Sequence, residues 1–292
     1  MQIDPELVRA MFARHGVRGP WAPLHATGVA NRIYATRDVV LRVATDHPDA
    51  VPDARTESVA APAAFAAGIL TPRLIAFDDS RSVVDRPFSL WERVHGETLG
   101  LLQLDPPRKA DLWRRVGREL SRLHHRVTLC PDPAGYLDTP GRPLDLHPLL
   151  QRLAAAGRVD RTAMIKITRL IDELAPHVAA ARTLRFVHDD IHPMNVMCSP
   201  DGGLLAIIDW GDAGWGDPTL DFAAVPLDCV QHAVEGYTLD TPGALGDFPE
   251  ARFVWDKLHY TLEEAWENGE PVPPVDAFYR LLRANPSGRG ST

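Results

Sequence analysis

The densest chemistry in the chain lies at residues 188–212, HDDIHPMNVMCSPDGGLLAIIDWGD, where acids, two histidines and an asparagine border an apolar run. SPDGG is turn chemistry, so NVMC and LLAIIDW read as the arms of a β-hairpin. With Asp201-Gly202-Gly203 as the loop, Pro200 faces Leu204 and Asn195 faces Asp209. Opposed Cβ atoms lie about 5 Å apart in such a ladder, close enough for two side-chain oxygens to share one cation. Mg²⁺ suits them, because it takes one or two carboxylates and completes its shell with water and substrate phosphates. Asp190 stands five residues before Asn195, on the loop entering the hairpin. A carboxylate there can accept a hydroxyl proton while the metal holds a phosphate. Acids gathered at a buried edge need a cation, so these three residues read as a metal-assisted phosphoryl-transfer site. A metal-dependent phosphohydrolase using His124, His125, His188, Asp189, Asp209 and Asp212 is the rival, but that set leaves out Asn195 and the hairpin register. A plain polar loop is the third reading.

The elements that must position these groups change character along the chain. NRIYAT and VVLRVA are β-type runs separated by Arg37-Asp38, a hairpin spacing. RLIAF and FSLWERV read as two more strands. Between them DARTESVAAPAAFAAG reads as a helix ending at Gly68, with a kink or break expected at Pro62. After Gly96 the pattern becomes helical. In DPPRKADLWRRVGRELSRLHHRV, Asp105 is placed to cap and Leu112, Val116, Leu120, Leu123 and Val127 form one stripe. Ile167, Leu170, Ile171, Leu174 and Val178 form a second, and Val254, Leu258, Leu262 and Ala265 a third. The tail NPSGRGST is expected to be disordered. Trp113, Trp210, Trp215 and Trp266 read as packing residues.

The chain has 292 residues, 45% apolar and 24% charged, enough for one large or two modest domains with ample core. No run approaches 18 apolar residues and the N-terminus lacks an apolar signal core, so neither a membrane partner nor a secretory leader is expected. Three scattered cysteines suggest a reduced, cytoplasmic protein rather than a disulfide framework. A net charge of -8 argues against nucleic acid. Residues 209–275 hold fourteen acids against Arg252 and Lys257, a local balance of -12 that leaves +4 for the remainder. Such polarisation can steer a cationic small molecule, although most acidic surface is simply solvated.

H-x-D-x-x-x-x-N followed by an Asp at the end of the next strand resembles the catalytic and metal loops of kinases. The longer string VHDDIHPMN…IIDWGDAGWGDPTLDFA is similar to the aminoglycoside phosphotransferase family in particular. The resemblance implies an α+β, bilobal protein-kinase-like fold, with a small β-rich nucleotide-binding N-lobe over residues 1–95. A larger, mainly helical C-lobe over residues 96–292 would be catalytic and acceptor-binding. It implies ATP or GTP as donor, Mg²⁺ on Asn195 and Asp209, and Asp190 as the catalytic base. Arg42 in VLRVA matches the strand cation that reaches nucleotide phosphates, and Glu57 the helix acid that pairs with it. LWERVHG matches the hinge, where the backbones of Glu92 and Val94 would hold the adenine edge. Gly28 is the lone glycine of HATGVAN, the nucleotide loop, so a glycine-rich phosphate cradle is missing. RLHH matches a helix ending in Leu-His, and Asp221 in GDPTLDFA would brace the catalytic loop. Asp189 stands where the family carries a small residue. The acceptors implied are aminoglycoside-like antibiotics, as in antibiotic resistance, or metabolites of the homoserine, choline or sugar type. A non-catalytic module of the same fold would be expected to lose the base or a metal ligand, and neither is lost here.

Without the family, plainer roles compete: Arg42 and Glu57 as a surface ion pair, His188 and His192 as packed loop residues, Asp217 and Asp221 as helix caps.

Overall fold

Two separate compact units account for the contacts of the chain in the computed structural model, which describes residues 3–24, 28–179, 184–243 and 245–284. His25, Ala26 and Thr27 of the nucleotide loop and the tail at 285–292 lie outside the described residues. In chain order the elements are α1 (Pro5–Arg14), β1 (Ala22–Leu24), β2 (Asn31–Ala35), β3 (Val39–Ala44), α2 (Ala50–Ala66), β4 (Leu74–Asp78), β5 (Phe88–Glu92) and β6 (Glu97–Thr98). There follow α3 (Pro106–Arg126), α4 (His147–Ala155), α5 (Arg161–Ala179), β7 (Arg185–Val187), β8 (Val196–Cys198) and β9 (Leu204–Ile207). The last are β10 (Gly214–Gly216), α6 (Val230–Leu239), α7 (Pro249–Asn268) and α8 (Asp276–Ala284). Neither unit is continuous in sequence. One comprises Met1–Gln103, Arg126–Asp138 and Met194–Gly214, the other Leu104–His125, Thr139–Pro193 and Trp215–Thr292. Contacts therefore do not follow a single cut after residue 95.

The first unit is built on an antiparallel sheet in the order β1-β2-β3-β5-β4. Its β2–β3 hairpin closes at Arg37-Asp38, where the Thr36 N–H donates to the Val39 carbonyl and the Val39 N–H to the Thr36 hydroxyl. One face of the sheet, with Leu41, Val43, Phe88 and Leu90, packs on Val8, Met11 and Phe12 of α1. That helix went unread in the sequence, yet Asp4 caps it through the Glu6 N–H. Helix α2 does not break at Pro62, one of the two outcomes the sequence left open, and runs on to Ala66. The missing Pro62 N–H costs one intrahelical bond, while buried Ala60, Ala61 and Ala64 hold the remaining turns in the core. Gly68, at φ +77°, ends it as a left-handed cap. A second sheet, β6-β8-β9, completes this unit.

The second unit is helical. The Asp105 side chain accepts the Arg108 N–H at the head of α3, as the sequence indicated. The stripes of α5 and α7 meet with α4 and α8 in one core containing Leu150, Ile167, Leu174, Trp255, Leu258 and Phe278. Trp113 and Trp210 are buried, but Trp215 and Trp266 are more than a third exposed. The Arg152 guanidinium lies 4.1 Å above the Trp266 ring. No helix of the described residues is long and apolar enough to cross a membrane. The three cysteines are buried free thiols.

Candidate active site

Alternation along β3 sends Leu41 and Val43 into the core and leaves Arg42 on the opposite face. Its guanidinium is forked. Nη1 donates to Glu57 Oε1 at 2.5 Å and Nη2 to Asp209 Oδ1 at 2.7 Å. Arg42 and Glu57 are therefore not the surface ion pair of the plainer reading, since Glu57 is buried and Arg42 nearly so. Glu57 stands on α2 one turn after Asp53, so both acids look the same way. Burial opposes the charge on Arg42, but Asp209 and Glu57 outweigh it and its pKa is raised. The same crowding acts on the acids. Burial first, then Asp209 and Asp49, lifts Asp53 to about 6. Burial also lifts Glu57 to about 7 against the pull of Arg42. Asp209 itself sits past the end of β9 at φ +68°, a conformation a non-glycine residue adopts at a cost. Gly211 follows in close contact with Asp53: a Cβ there would lie 2.7 Å from the Asp53 Cβ.

The hairpin differs in register from the sequence reading. Val196 pairs with Ile207 and Met197 with Ala206, and the Asn195 carbonyl accepts the Ile208 N–H at 2.9 Å. Asn195 therefore opposes Ile208 rather than Asp209, and Cys198 rather than Pro200 faces Leu204. The cause is the turn, which closes one residue earlier than read, with the Ser199 N–H donating to the Gly203 carbonyl at 2.9 Å; this moves the pairing by two places, and the bulge opposite Met197/Cys198 restores only one of them. Asn195 is buried. Asp209 is carried past the ladder by its left-handed turn instead of by strand pairing.

These residues fit a hard divalent cation. Three carboxylates surround one guanidinium, and burial raises the Asp53 and Glu57 pKa values, with Asp209 adding to both. Among the described residues no three His, Cys, Asp or Glu side chains converge as a metal cage. The hydrolase set would need to form such a cage. The histidines of that set are engaged elsewhere: His124 with Asp221 and Tyr237, His125 Nδ1 with the Ser121 carbonyl, and His188 Nδ1 with the Asp190 N–H.

Asp190 belongs to the second unit, on the loop after β7. Its Oδ2 lies 3.3 Å from His192 Nε2, and both side chains are about 30% exposed. The preceding Asp189 has φ +66°. This explains the family's small residue there, since glycine reaches that conformation freely and Asp is among the few others that tolerate it. Asp221, fully buried, holds this turn. Its Oδ1 accepts the backbone N–H groups of His188 at 2.9 Å and Asp189 at 2.7 Å. Asp221 thus braces the loop and caps no helix. Asp217 does cap locally, accepting the Thr219 N–H, and also pairs with Arg142 and Arg252. Burial works against its charge, but Arg142, Thr219 and Arg252 prevail and lower its pKa. Asp256 completes this buried group, with Arg142 at 2.8 Å, and burial raises it to about 7.

The -12 balance overstates the free acidity. Asp228 pairs with Lys109, Glu235 with Arg114 and Glu263 with His259, beside the buried Asp217, Asp221 and Asp256. What remains near Asp190 centres on Tyr260, whose pKa is raised by burial, then by Glu264, Asp190 and Glu267.

At the hinge, the Glu92 N–H already donates to the Arg73 carbonyl, so any ligand contact from Glu92 would come from its carbonyl. Val94 lies two residues beyond β5. Gly96 must be glycine, because a Cβ would meet the Cys198 carbonyl at 2.5 Å. Gly28 has no such constraint, with open space around a Cβ. Sequence reasoning missed Asp53, Arg142, Tyr237 and Tyr260. Only Asp53 carried a signal, the i,i+4 spacing to Glu57.

A search of curated protein sequences returned no match. Among solved structures, a choline/ethanolamine kinase family protein from Mesorhizobium loti is similar, at TM-score 0.61 and 19% identity over 96% of this chain and 95% of that one. The GDP complex of aminoglycoside 2'-phosphotransferase-IIIa gives TM-score 0.62 at 17% identity, over 96% of each chain. Spectinomycin phosphotransferase APH(9)-Ia, in complex with ADP and spectinomycin, gives 0.62 at 12% identity over 99% and 92%. These likenesses establish the α+β, protein-kinase-like fold. The sequence profile of the phosphotransferase enzyme family, APH, matches residues 22–258, most of the length, and with the kinase-like loops and fold just described it means that this chain belongs to that family.

Proposed function

We propose that the protein transfers the γ-phosphoryl group of ATP or GTP to a hydroxyl of a small cationic molecule. The observation that carries this reading is the fork of Arg42 between Glu57 and Asp209, a fixed cation in a carboxylate-rich recess. Arg42 would bind nucleotide phosphates, oriented by Glu57, and Asn195 with Asp209 would hold Mg²⁺. Bound there, Mg²⁺ would neutralise charge on the transferring phosphoryl group. Asp190 would orient the acceptor hydroxyl and take its proton as the oxygen–phosphorus bond forms and the bond to the departing diphosphate breaks. His192 holds one oxygen of that carboxylate. Gly28 and the backbones of Glu92 and Val94 would line the nucleotide. Catalysis would rest on positioning and charge neutralisation.

The nucleotide is supported by the GDP and ADP complexes of the similar structures. Two acceptor classes are supported. Similar proteins bind kanamycin and gentamicin, and another belongs to a choline/ethanolamine kinase family. Both classes are cationic, which suits Glu264 and Glu267 gathered with Asp190 around Tyr260. We place aminoglycoside-like antibiotics first, as in antibiotic resistance, and amino alcohols second. A cytoplasmic location goes with a nucleotide donor.

The test is a panel of aminoglycosides, amino alcohols, homoserine and sugars, read as nucleotide turnover, with Asp190→Ala beside the wild type. Asp190→Ala is expected to lower turnover by about 10² or more. Near-normal turnover removes Asp190 from its role, and a neutral acceptor winning the panel removes the cationic class.

A further inference from the structure

A buried hydrogen-bond chain ends on the loop that carries Asp190, and its far terminus is a residue the phosphoryl-transfer reading does not use. Tyr237 on α6 is fully buried, and its hydroxyl lies 2.9 Å from His124 Nδ1 on α3. His124 Nε2 lies 2.8 Å from Asp221 Oδ2, with both side chains inaccessible to water. The other Asp221 oxygen takes the His188 and Asp189 N–H groups.

An ionised carboxylate only accepts, so the hydrogen between His124 Nε2 and Asp221 sits on the ring. The Tyr237 hydroxyl is the partner of the other ring nitrogen, Nδ1. Burial, reinforced by the Asp221 charge, raises the Tyr237 pKa and keeps the phenol protonated.

We propose that Tyr237 is a positioning residue for phosphoryl transfer: its hydroxyl, bonded to His124 Nδ1, fixes the imidazole so that Nε2–H stays aligned on Asp221, which pins the left-handed turn at Asp189. Without that hydroxyl a buried ring nitrogen loses its partner, and the ring tilts off Asp221 to relieve it. The left-handed conformation of Asp189 is costly by itself and persists only while surrounding bonds impose it. Asp190 is the next residue along. The inference rests on Asp190 as the base, but its statement about the His124–Asp221 bond does not.

Two measurements on the intact chain test it. In ¹⁵N-histidine-labelled wild type, His124 Nε2 should carry a slowly exchanging proton held by Asp221; an Nε2 without a proton overturns the proposal. Tyr237→Phe keeps the ring packing against Phe222, 5.7 Å away and edge-on, and deletes only the hydroxyl. In that variant the Nε2 proton should exchange faster. Its kcat should fall about tenfold with the best acceptor of the panel, or with water as acceptor, while KM for the nucleotide stays unchanged. Unchanged kcat with an unaltered Nε2 proton overturns the proposal. Asp190→Ala in the same labelled background separates the two ideas. It should lower turnover by about 10² or more and leave the His124 signals as in wild type. If turnover survives there, the base assignment fails and the His124 result still stands.

Discussion

Replacing Gly117 by Ala is a small change whose predicted sign depends on whether α3 is viewed alone or packed. In an isolated helix Ala is favoured over Gly by about 1 kcal/mol. Packed, Gly117 faces α6 so closely that a Cβ would lie 1.8 Å from the Ala233 carbonyl oxygen and 2.9 Å from the Tyr237 nitrogen. Gly236 makes the reciprocal contact, 1.9 Å from the Arg114 carbonyl. An ordinary carbon–oxygen contact is about 3.5 Å, so the helices must part by more than 1 Å. Overpacking of this kind costs roughly 1–3 kcal/mol and at backbone contacts more, enough to exceed the propensity gain. The same separation stretches the 2.9 Å bond between Tyr237 and His124, because residues 117 and 124 lie two turns apart on one face of α3. Gly117→Ala is therefore expected to lose about 2 kcal/mol by urea unfolding and also to lose kcat. A variant that gains stability, or keeps full activity, would refute the close crossing and with it the rigidity ascribed to the relay.

Asp209→Asn should weaken Mg²⁺-nucleotide binding by calorimetry far more than it lowers the melting temperature, because this half-exposed side chain contributes little to stability; a large thermal loss with unchanged Mg²⁺ dependence makes it a structural acid. Lys257, buried and bonded to the Ala223 carbonyl, has its pKa lowered to about 8 by burial. The native chain then releases that proton near pH 8 and the unfolded chain near 10.5, so stability relative to Lys257→Met should rise across that window by up to ~3 kcal/mol. A flat difference between pH 8 and 10.5 contradicts the burial argument. KM for a cationic acceptor should climb as salt passes about 0.1 M, where the Debye length is near 10 Å; an acceptor KM indifferent to salt would end the steering idea.

What could be read in the sequence was local. Asp190, Asn195 and Asp209 lie within twenty residues, and their spacing and turn chemistry pointed to a phosphoryl-transfer site. The stripes of α3, α5 and α7 were legible because helical periodicity repeats every few residues. The hairpin register was not, because SPDGG leaves open which three residues form the loop, and the bulge beside Met197 then shifts the pairing by a further residue that composition does not mark. Nor was the bracing of the catalytic loop beyond Asp221. The His124–Asp221 and His124–Tyr237 bonds join residues 97 and 113 apart in sequence, and no local pattern records such a pairing. The break that Pro62 allowed did not occur, because packing around it holds the helix continuous. The unexplained Asp189 gained its reason only from a backbone angle.

Charge is organised differently in the two units. Around Arg42 the acids outnumber the bases, and burial, with Asp209 adding to it, raises both Asp53 and Glu57. On the proposed reading, a cation bound beside Asp209 would offset that excess of acids. Around Asp217 and Asp256 the same kind of acids are matched one for one by Arg142 and Arg252 and shut away from water. Matched, buried charges hold geometry and attract no ligand. Six of the segment's fourteen acids are spent in this second way or in pairs with α3: Asp217, Asp221, Asp228, Glu235, Asp240 and Asp256. On the proposed reading, discrimination between a polycationic antibiotic and a single ammonium group falls to acids such as Glu264 and Glu267. Glu264 and Glu267 together can pair several ammonium groups, whereas one of them suffices for an amino alcohol. Removing them one at a time should separate the acceptor classes where removing the segment's total charge would not.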